Sequence, residues 1–263
     1  MPNSNSPENR EHRWNHLTAP ELRDLAARDA IVLLPVGSTE QHGAHLPTGV
    51  DDFLAVEVCR RAAALAAPLP VVVAPSVGCG LAEHHMPFGG TLTLSLPTLH
   101  ALLRDVCRSV LRAGFRRVLL VNGHGGNVTA LNALVNELTA ELSASLAVTS
   151  YFTAGREVIA DVLQTQDHLM HACEGETSMA LAAFPSLVRE ELLPQAVGPA
   201  IPLQSEDTSP VYRSVPFDAV TPNGTAGDAR GATAEKGERL LEGCARALAD
   251  LLRDGVRPDT GRR

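Results

Sequence analysis

Short runs of consecutive apolar residues alternate along this chain with longer segments whose apolar positions recur every three or four residues. Ala-Ile-Val-Leu-Leu-Pro-Val at 30–36 is the first such run, which predicts a strand buried on both faces. The runs at 71–77, 117–122 and 146–152 repeat the pattern. Between them, 51–66, 96–113 and 128–143 carry helical spacing, and Gly114 stands where a helix ends. Thr18 and Pro20 mark the start of an earlier helix, and 232–252 closes the chain as an amphipathic one. Strands joined through helices call for right-handed crossovers. The prediction is an α/β fold, a three-layer α/β/α sandwich with a mainly parallel sheet.

Residues 1–14, rich in Asn, Ser, Pro and Glu, predict a disordered tail, and 15–256 a single domain without repeats or linkers. The stretch 185–228 lacks periodicity and predicts long connections that wrap the core, with room for an edge strand.

Composition narrows the function classes. The chain has 22 basic against 30 acidic residues and 3% aromatics, which argues against nucleic acid or an anionic membrane as partner. No apolar stretch is long enough to span a bilayer, and no signal peptide is visible. Cys59, Cys79, Cys107, Cys173 and Cys244 are scattered and odd in number, as expected of reduced thiols in a cytoplasmic protein.

Three polar clusters follow the predicted strands, where open parallel sheets bind ligands. In the first, Glu40 and His42 are two residues apart and share one side of an extended segment, and Asp51 opens the next helix. Such Glu, His and Asp side chains suit zinc, manganese or iron(II). The second is Asn122-Gly-His124-Gly-Gly-Asn127, whose glycines leave His124 uncrowded at a strand end. A phosphate cradle is disfavoured there, because Val128 falls where the last fingerprint glycine belongs and the P-loop lysine is missing. The third is His168-Leu-Met-His171-Ala-Cys-Glu174-Gly-Glu176-Thr-Ser. Glu176 there is open to two readings, a ligand or a carboxylate that caps the following helix.

P-V-G-S-T-E-Q-H-G-A-H-L-P with Asp51, then N-G-H-G-G-N, then H-A-x-x-x-E-T-S, together resemble the creatininase family of metal-dependent amidohydrolases. Glu83-His84-His85-Met-Pro-Phe88-Gly-Gly-Thr91 is the counterpart of the family's E-H-x-x-F-x-G-T segment, and G-D-A-R-G-A-T-A-E-K-G near the C-terminus is similar as well. The resemblance implies two divalent ions per chain, zinc foremost, with manganese or iron as alternatives. Glu40 and His124 would hold one ion and His42 the other, with Asp51 bridging. Creatininase itself carries a glutamate ligand two residues after the motif histidine, where this chain has Gly126. The resemblance offers Glu176 in its place. His171 matches the family's proton-transfer histidine, with Glu174 as a candidate to orient it or to move protons itself.

His45, Glu83 and His84 are candidates to orient ligands, and Glu83, His84, Gly125 and Phe152 to form the substrate pocket. Creatininase closes its pocket with tryptophans. This chain has only Trp14, with Phe152 about where one of those would fall, so a wider pocket is implied. The expected substrate is a small-molecule amide (a lactam or other cyclic amide, a formamide or a modified peptide), and the expected assembly a homo-oligomer, a hexamer among the options. The alternative reading is a non-catalytic, metal-stabilised binding or scaffold protein of the same fold.

Overall fold

A computed structural model describes residues 12–201 and 214–255. Four strands, β1 (Ile31–Val36), β2 (Val71–Val73), β3 (Arg117–Asn122) and β4 (Ser145–Ser150), form one sheet in the order β2-β1-β3-β4. Every pairing is parallel, with Ile31 opposite Val71 and Arg117, and Arg117 opposite Ser145. The helices are α1 (Ala19–Ala27), α2 (Val50–Leu65), α3 (Leu96–Arg112), α4 (Val128–Leu142), α5 (Tyr151–Ala154), α6 (Arg156–Val162), α7 (Glu174–Ala183) and α8 (Ala234–Arg253).

Alternation along β1 decides the layers. Val32, Leu34 and Val36 pack with Leu99, Leu103, Leu131 and Leu138 of α3 and α4. Ile31 and Leu33 pack with Leu54, Met179, Leu241 and Leu248 of α2, α7 and α8. Both faces are therefore covered, which is the three-layer α/β/α sandwich expected from the apolar runs.

Pro35 sits inside a central strand, a position that normally loses a ladder bond. The odd residues of β1 bond toward β2, as in Ile31 N–H to Pro70 and Ala74 N–H to Leu33. β2 has ended at Val73, so the missing donor of Pro35 falls where no β2 ladder partner remains. The early end of β2 also corrects the expected strand over 71–77. Beyond Pro75, only Val77 returns, as an isolated bridge to Val36.

β4 stops at Ser150, and Tyr151 and Phe152 turn into the short α5 rather than extending the strand. The tail boundary also shifts. Residues 1–11 lie outside the described residues, but Arg13 bridges to Val73 and the Trp14 ring lies 5.1 Å from that of Phe115. The anticipated edge strand in 185–228 is absent among the described residues. Short 3-10 turns (Pro185–Leu187, Glu190–Gln195, Phe217–Ala219) and isolated bridges, Val197 to Asp228 and His171 to Ala226, occupy that stretch instead.

α7 and α8 meet at Gly237, where a Cβ would stand 1.8 Å from the Ser178 carbonyl oxygen. A Gly237→Ala substitution is expected to cost about 2–3 kcal/mol through this overlap. Each kcal/mol lowers Tm by about 2–4 °C in a chain of this size. An unchanged calorimetric Tm would contradict the packing described.

Candidate metal centre and active site

The centre lies at the carboxyl ends of β1 and β3. After β1 the chain turns over the first turn of α2, carrying Glu40 and His42 inward and leaving both fully buried. Asp51 comes from the first turn of α2, where the positive helix end favours a carboxylate. His124 follows β3, its backbone N–H donating to Asn122 Oδ1 (3.1 Å) and its carbonyl accepting from Asn122 Nδ2 (2.8 Å). Asn127 ties the loops together, donating to the Gly37 carbonyl (3.0 Å) and accepting from Leu81 N–H (2.9 Å). The two asparagines of N-G-H-G-G-N thus brace the histidine between them.

His124 Nδ1 lies 3.1 Å from Glu40 Oε2 and 3.0 Å from Asp51 Oδ2, and His42 Nε2 lies 3.1 Å from Asp51 Oδ1. Asp51 therefore turns one oxygen to each histidine. The rear nitrogens face main-chain carbonyls, His124 Nε2 that of Leu81 (3.2 Å) and His42 Nδ1 that of Glu40 (3.1 Å). A carbonyl only accepts, so the rear nitrogens carry the protons and each neutral imidazole aims a lone pair at the carboxylates. Lone pairs facing anionic oxygens at this range repel unless a cation or a proton lies between them. Both oxygens of Glu40, and Asp51 Oδ2, are buried without a hydrogen-bond partner.

Electrostatics says the same. Burial pulls His42 down, but the charge of Asp51 and its hydrogen bond outweigh burial and push the imidazole up to about 10. His124 is likewise raised well above its ordinary value, the charge of Glu40 overcoming burial. Without a cation, a proton takes the cation's place. Burial raises Asp51, yet His42 and His124 hold it below the usual carboxylate range. Two ligand groups share Asp51: Glu40–Asp51–His124 and His42–Asp51–Glu176, each with its ligand atoms within 4.8 Å of one another. A third, Glu40–His42–His171, overlaps them. This donor set fits divalent cations.

Glu176 does two things at once. Its Oε2 accepts the N–H of Ala172, just before the N-cap of α7, at 2.5 Å, while it also groups with His42 and Asp51. That bond anchors the segment before α7 rather than capping one of the helix's own N–H groups. Burial, above all, lifts its carboxyl to about 7.

Gly126 has a steric reason to lack a side chain. A Cβ there would stand 2.4 Å from His124 Nε2 and 2.6 Å from the Leu81 carbonyl, on top of the contact that orients His124. A glutamate at this position has no room while that contact stands.

His171 places Nε2 2.7 Å from the Gln41 carbonyl, so the proton sits there and Nδ1 is free, 3.6 Å from Glu40 Oε1. Burial, helped by the nearby charge of His42, holds the ring well below its usual pKa and therefore neutral. His45 Nε2 meets Thr177 Oγ1 at 2.9 Å.

Glu174 is placed apart from this group. Lys236 Nζ contacts its Oε1 at 2.5 Å, while Oε2 accepts from the N–H groups of Gln164 (3.0 Å) and Thr165 (2.9 Å) and from Thr165 Oγ1 (2.7 Å). The structure joins Glu174 to α8 and the 164–165 turn rather than to His171.

His84 stacks on His124 (5.8 Å, 14°) and, with Glu83, Gly126, Leu96 and Pro216, lines an open cleft. Gly125 and Phe152 do not line it. Phe152 is buried in the core against Tyr151, and a Cβ at Gly125 would face open space. Sequence reasoning missed Gln41, His85 and Phe217. The His85 ring packs between those of His171 (4.4 Å) and Phe217 (4.5 Å), and its Nε2 lies 3.2 Å from Glu40 Oε1. His85 could have been found as a neighbour of the quoted E-H motif. Phe217 lies in the aperiodic stretch and carries no such signal.

The chain matches the family model for creatininase (creatinine amidohydrolase) over residues 15–252 and belongs to that family. It is 34% identical to the mycofactocin precursor peptide peptidase of Mycolicibacterium smegmatis, over 88% of this chain and 87% of the relative. It is 32% identical to the creatinine amidohydrolase of Pseudomonas putida, over 89% and 93%. Two similar solved structures are a manganese creatininase (TM-score 0.78, 29% identity) and a mutant creatininase of Zn–Zn type (TM-score 0.77, 30% identity). Each is covered over 98% of its length by 93% of this chain.

The Glu174–Lys236 pair yields a pH-dependent expectation. The carboxyl of Glu174 is held below its ordinary value in the fold, chiefly by Lys236 and Thr165 acting against burial. The pair thus stabilises above the unfolded pKa, and this is lost as pH falls through the folded one. Lys236→Met, which strands a buried carboxylate, is expected to cost about 3 kcal/mol at neutral pH. Urea denaturation should show that gap narrowing as pH falls into the acidic range and the stranded carboxyl protonates. A gap constant across pH would refute this role.

Proposed function

We propose that this member of a family of metal-dependent amide hydrolases holds two divalent cations and hydrolyses a C–N amide bond of a small or modified-peptide substrate. The observation that carries it is the pair of ligand groups sharing Asp51. Glu40, Asp51 and His124 would hold one cation, and His42, Asp51 and Glu176 the other. Manganese and zinc are the metals named for the two solved relatives, and both suit this mixture of imidazole and carboxylate. Cations bound there supply charge that polarises the amide carbonyl and acidifies a water.

The chain's own groups handle the protons. His171, fixed by the Gln41 carbonyl at Nε2, presents Nδ1 as the atom that takes a proton from the attacking water. An amide nitrogen is a poor leaving group, and the same Nδ1 returns the proton to it. The backbone contacts behind His42 and His124 keep their lone pairs forward, where bound cations would occupy them and leave that proton to His171.

The grouping of Glu176 with His42 and Asp51 favours this enzyme over a metal-stabilised scaffold, whose case rests on the missing carboxylate at Gly126. The names of the two relatives point to different amides, a cyclic guanidino amide and a precursor peptide. The cleft beside His84 has no tryptophan in its lining.

The test is a hydrolysis screen of zinc- or manganese-loaded protein over lactams, cyclic ureas, formamides and short peptides, read as released amine or carboxylate. No turnover in any class, with metals bound, would favour the scaffold. Asp51→Ala is expected to abolish binding of both ions, and full metal content in that variant would refute the shared ligand. Glu176→Gln is expected to lose one ion and keep the other; two ions held at unchanged affinity would remove Glu176 from the ligand set. His171→Ala is expected to keep its metals and lose ~10²–10⁴-fold in rate on unactivated amides, with smaller losses on activated esters. Equal losses on both substrate types would assign His171 another role.

A further inference from the structure

Gln41 lies between the two histidines that flank the outer oxygen of Glu40, and it is buried with them. Its amide orientation is fixed, because the backbone N–H of Gly43 donates to Oε1 at 2.9 Å. Gly224, with φ +75, makes room for that oxygen, and a Cβ there would stand 2.1 Å from it. The Gln41 NH₂ group is therefore turned toward the imidazoles, 2.8 Å from His85 Nδ1 and 3.0 Å from His171 Nε2. His171 Nε2 already gives its proton to the Gln41 main-chain carbonyl, so it cannot accept. His85 Nδ1 is then the atom that accepts from the amide, and the His85 proton belongs on Nε2. That nitrogen lies 3.2 Å from Glu40 Oε1, while Glu40 Oε2 faces His124.

We propose that Gln41 is a positioning residue which sets the tautomers of both His85 and His171, so that His85 carries its proton on Nε2, the nitrogen nearer Glu40, and His171 keeps Nδ1 free. Through its carbonyl Gln41 fixes the proton on His171, and through its amide the proton on His85. The outer oxygen of Glu40 then lies 3.2 Å from the protonated nitrogen of His85, which places positive polarity beside it. The consequence for metal binding rests on the two-cation reading above, but the tautomers do not.

The experiment is ¹⁵N long-range correlation NMR on histidine-labelled protein, metal-free and zinc-loaded, assigned with His85→Gln. Both His85 and His171 are expected in the Nε2–H form in either state, and Gln41→Met is expected to give His85 as a mixture of tautomers. Competition against a zinc chelator is expected to show Gln41→Met and His85→Leu weakening zinc ~10–100-fold. His85→Gln, which keeps a donor at the ε position, is expected to stay close to wild type. Wild-type His85 protonated at Nδ1 overturns the proposal, as does Gln41→Met with a single unchanged His85 tautomer. Unchanged zinc affinity in a folded Gln41→Met, or His85→Gln as weak as His85→Leu, does the same. If Gln41→Met fails to fold, the wild-type tautomers decide alone. Failure of the two-cation reading would show instead as wild-type protein that takes up no zinc, and the metal-free spectra would still test Gln41.

Discussion

Three carboxylates, Glu40, Asp51 and Glu176, are buried together, and a folded chain tolerates such a concentration of negative charge only with positive charge among it. The surrounding structure is arranged to keep that charge in place. His42 and His124 are backed by main-chain carbonyls, which leaves their acceptor nitrogens facing the acids. The start of α2 lends its dipole to Asp51, and the Ala172 N–H, reached through a left-handed residue at φ 52, holds Glu176. The parallel sheet brings these loops to one end, and its two apolar faces supply the stability that offsets their desolvation.

The apolar runs made the sheet legible, because parallel strands covered on both faces read as continuous hydrophobic stretches. β1 and β3 lie where those runs lie. β4 was overextended, since Tyr151 and Phe152 are as apolar in a short buried helix as in a strand. Burial alone does not distinguish the two. Trp14 was placed in a tail by the polar composition around it, although a single ring against Phe115 is enough to order the segment.

The grouping of Glu40, His42, Asp51, His124 and Glu176 was legible through motifs whose residues are spaced by strand and helix ends. Glu174 was not separable from Glu176 in that way. Residues two apart on a helix point in widely different directions, and here one turns to Lys236 and the other to His42 and Asp51. That assignment needs the rotation of α7, which depends on the approach of α8 at Gly237. Gln41 looked like a spacer inside Glu-Gln-His because a neutral amide announces no chemistry, and its proposed effect comes from an amide contact across 44 residues and a main-chain carbonyl contact across 130.

The two ligand groups sharing Asp51 draw on different stretches of the chain. Glu40 and His124 follow β1 and β3 and Asp51 opens α2, so the first is complete once residues up to 124 have folded. The second requires Glu176, on a helix held down by the last twenty-residue helix of the chain. Local opening of the C-terminal third would therefore dismantle one group and leave the other standing. If both groups hold cations as proposed, their release would be staged, the outer stage reporting on the docking of α7 and α8 and the inner stage on the integrity of the sheet itself.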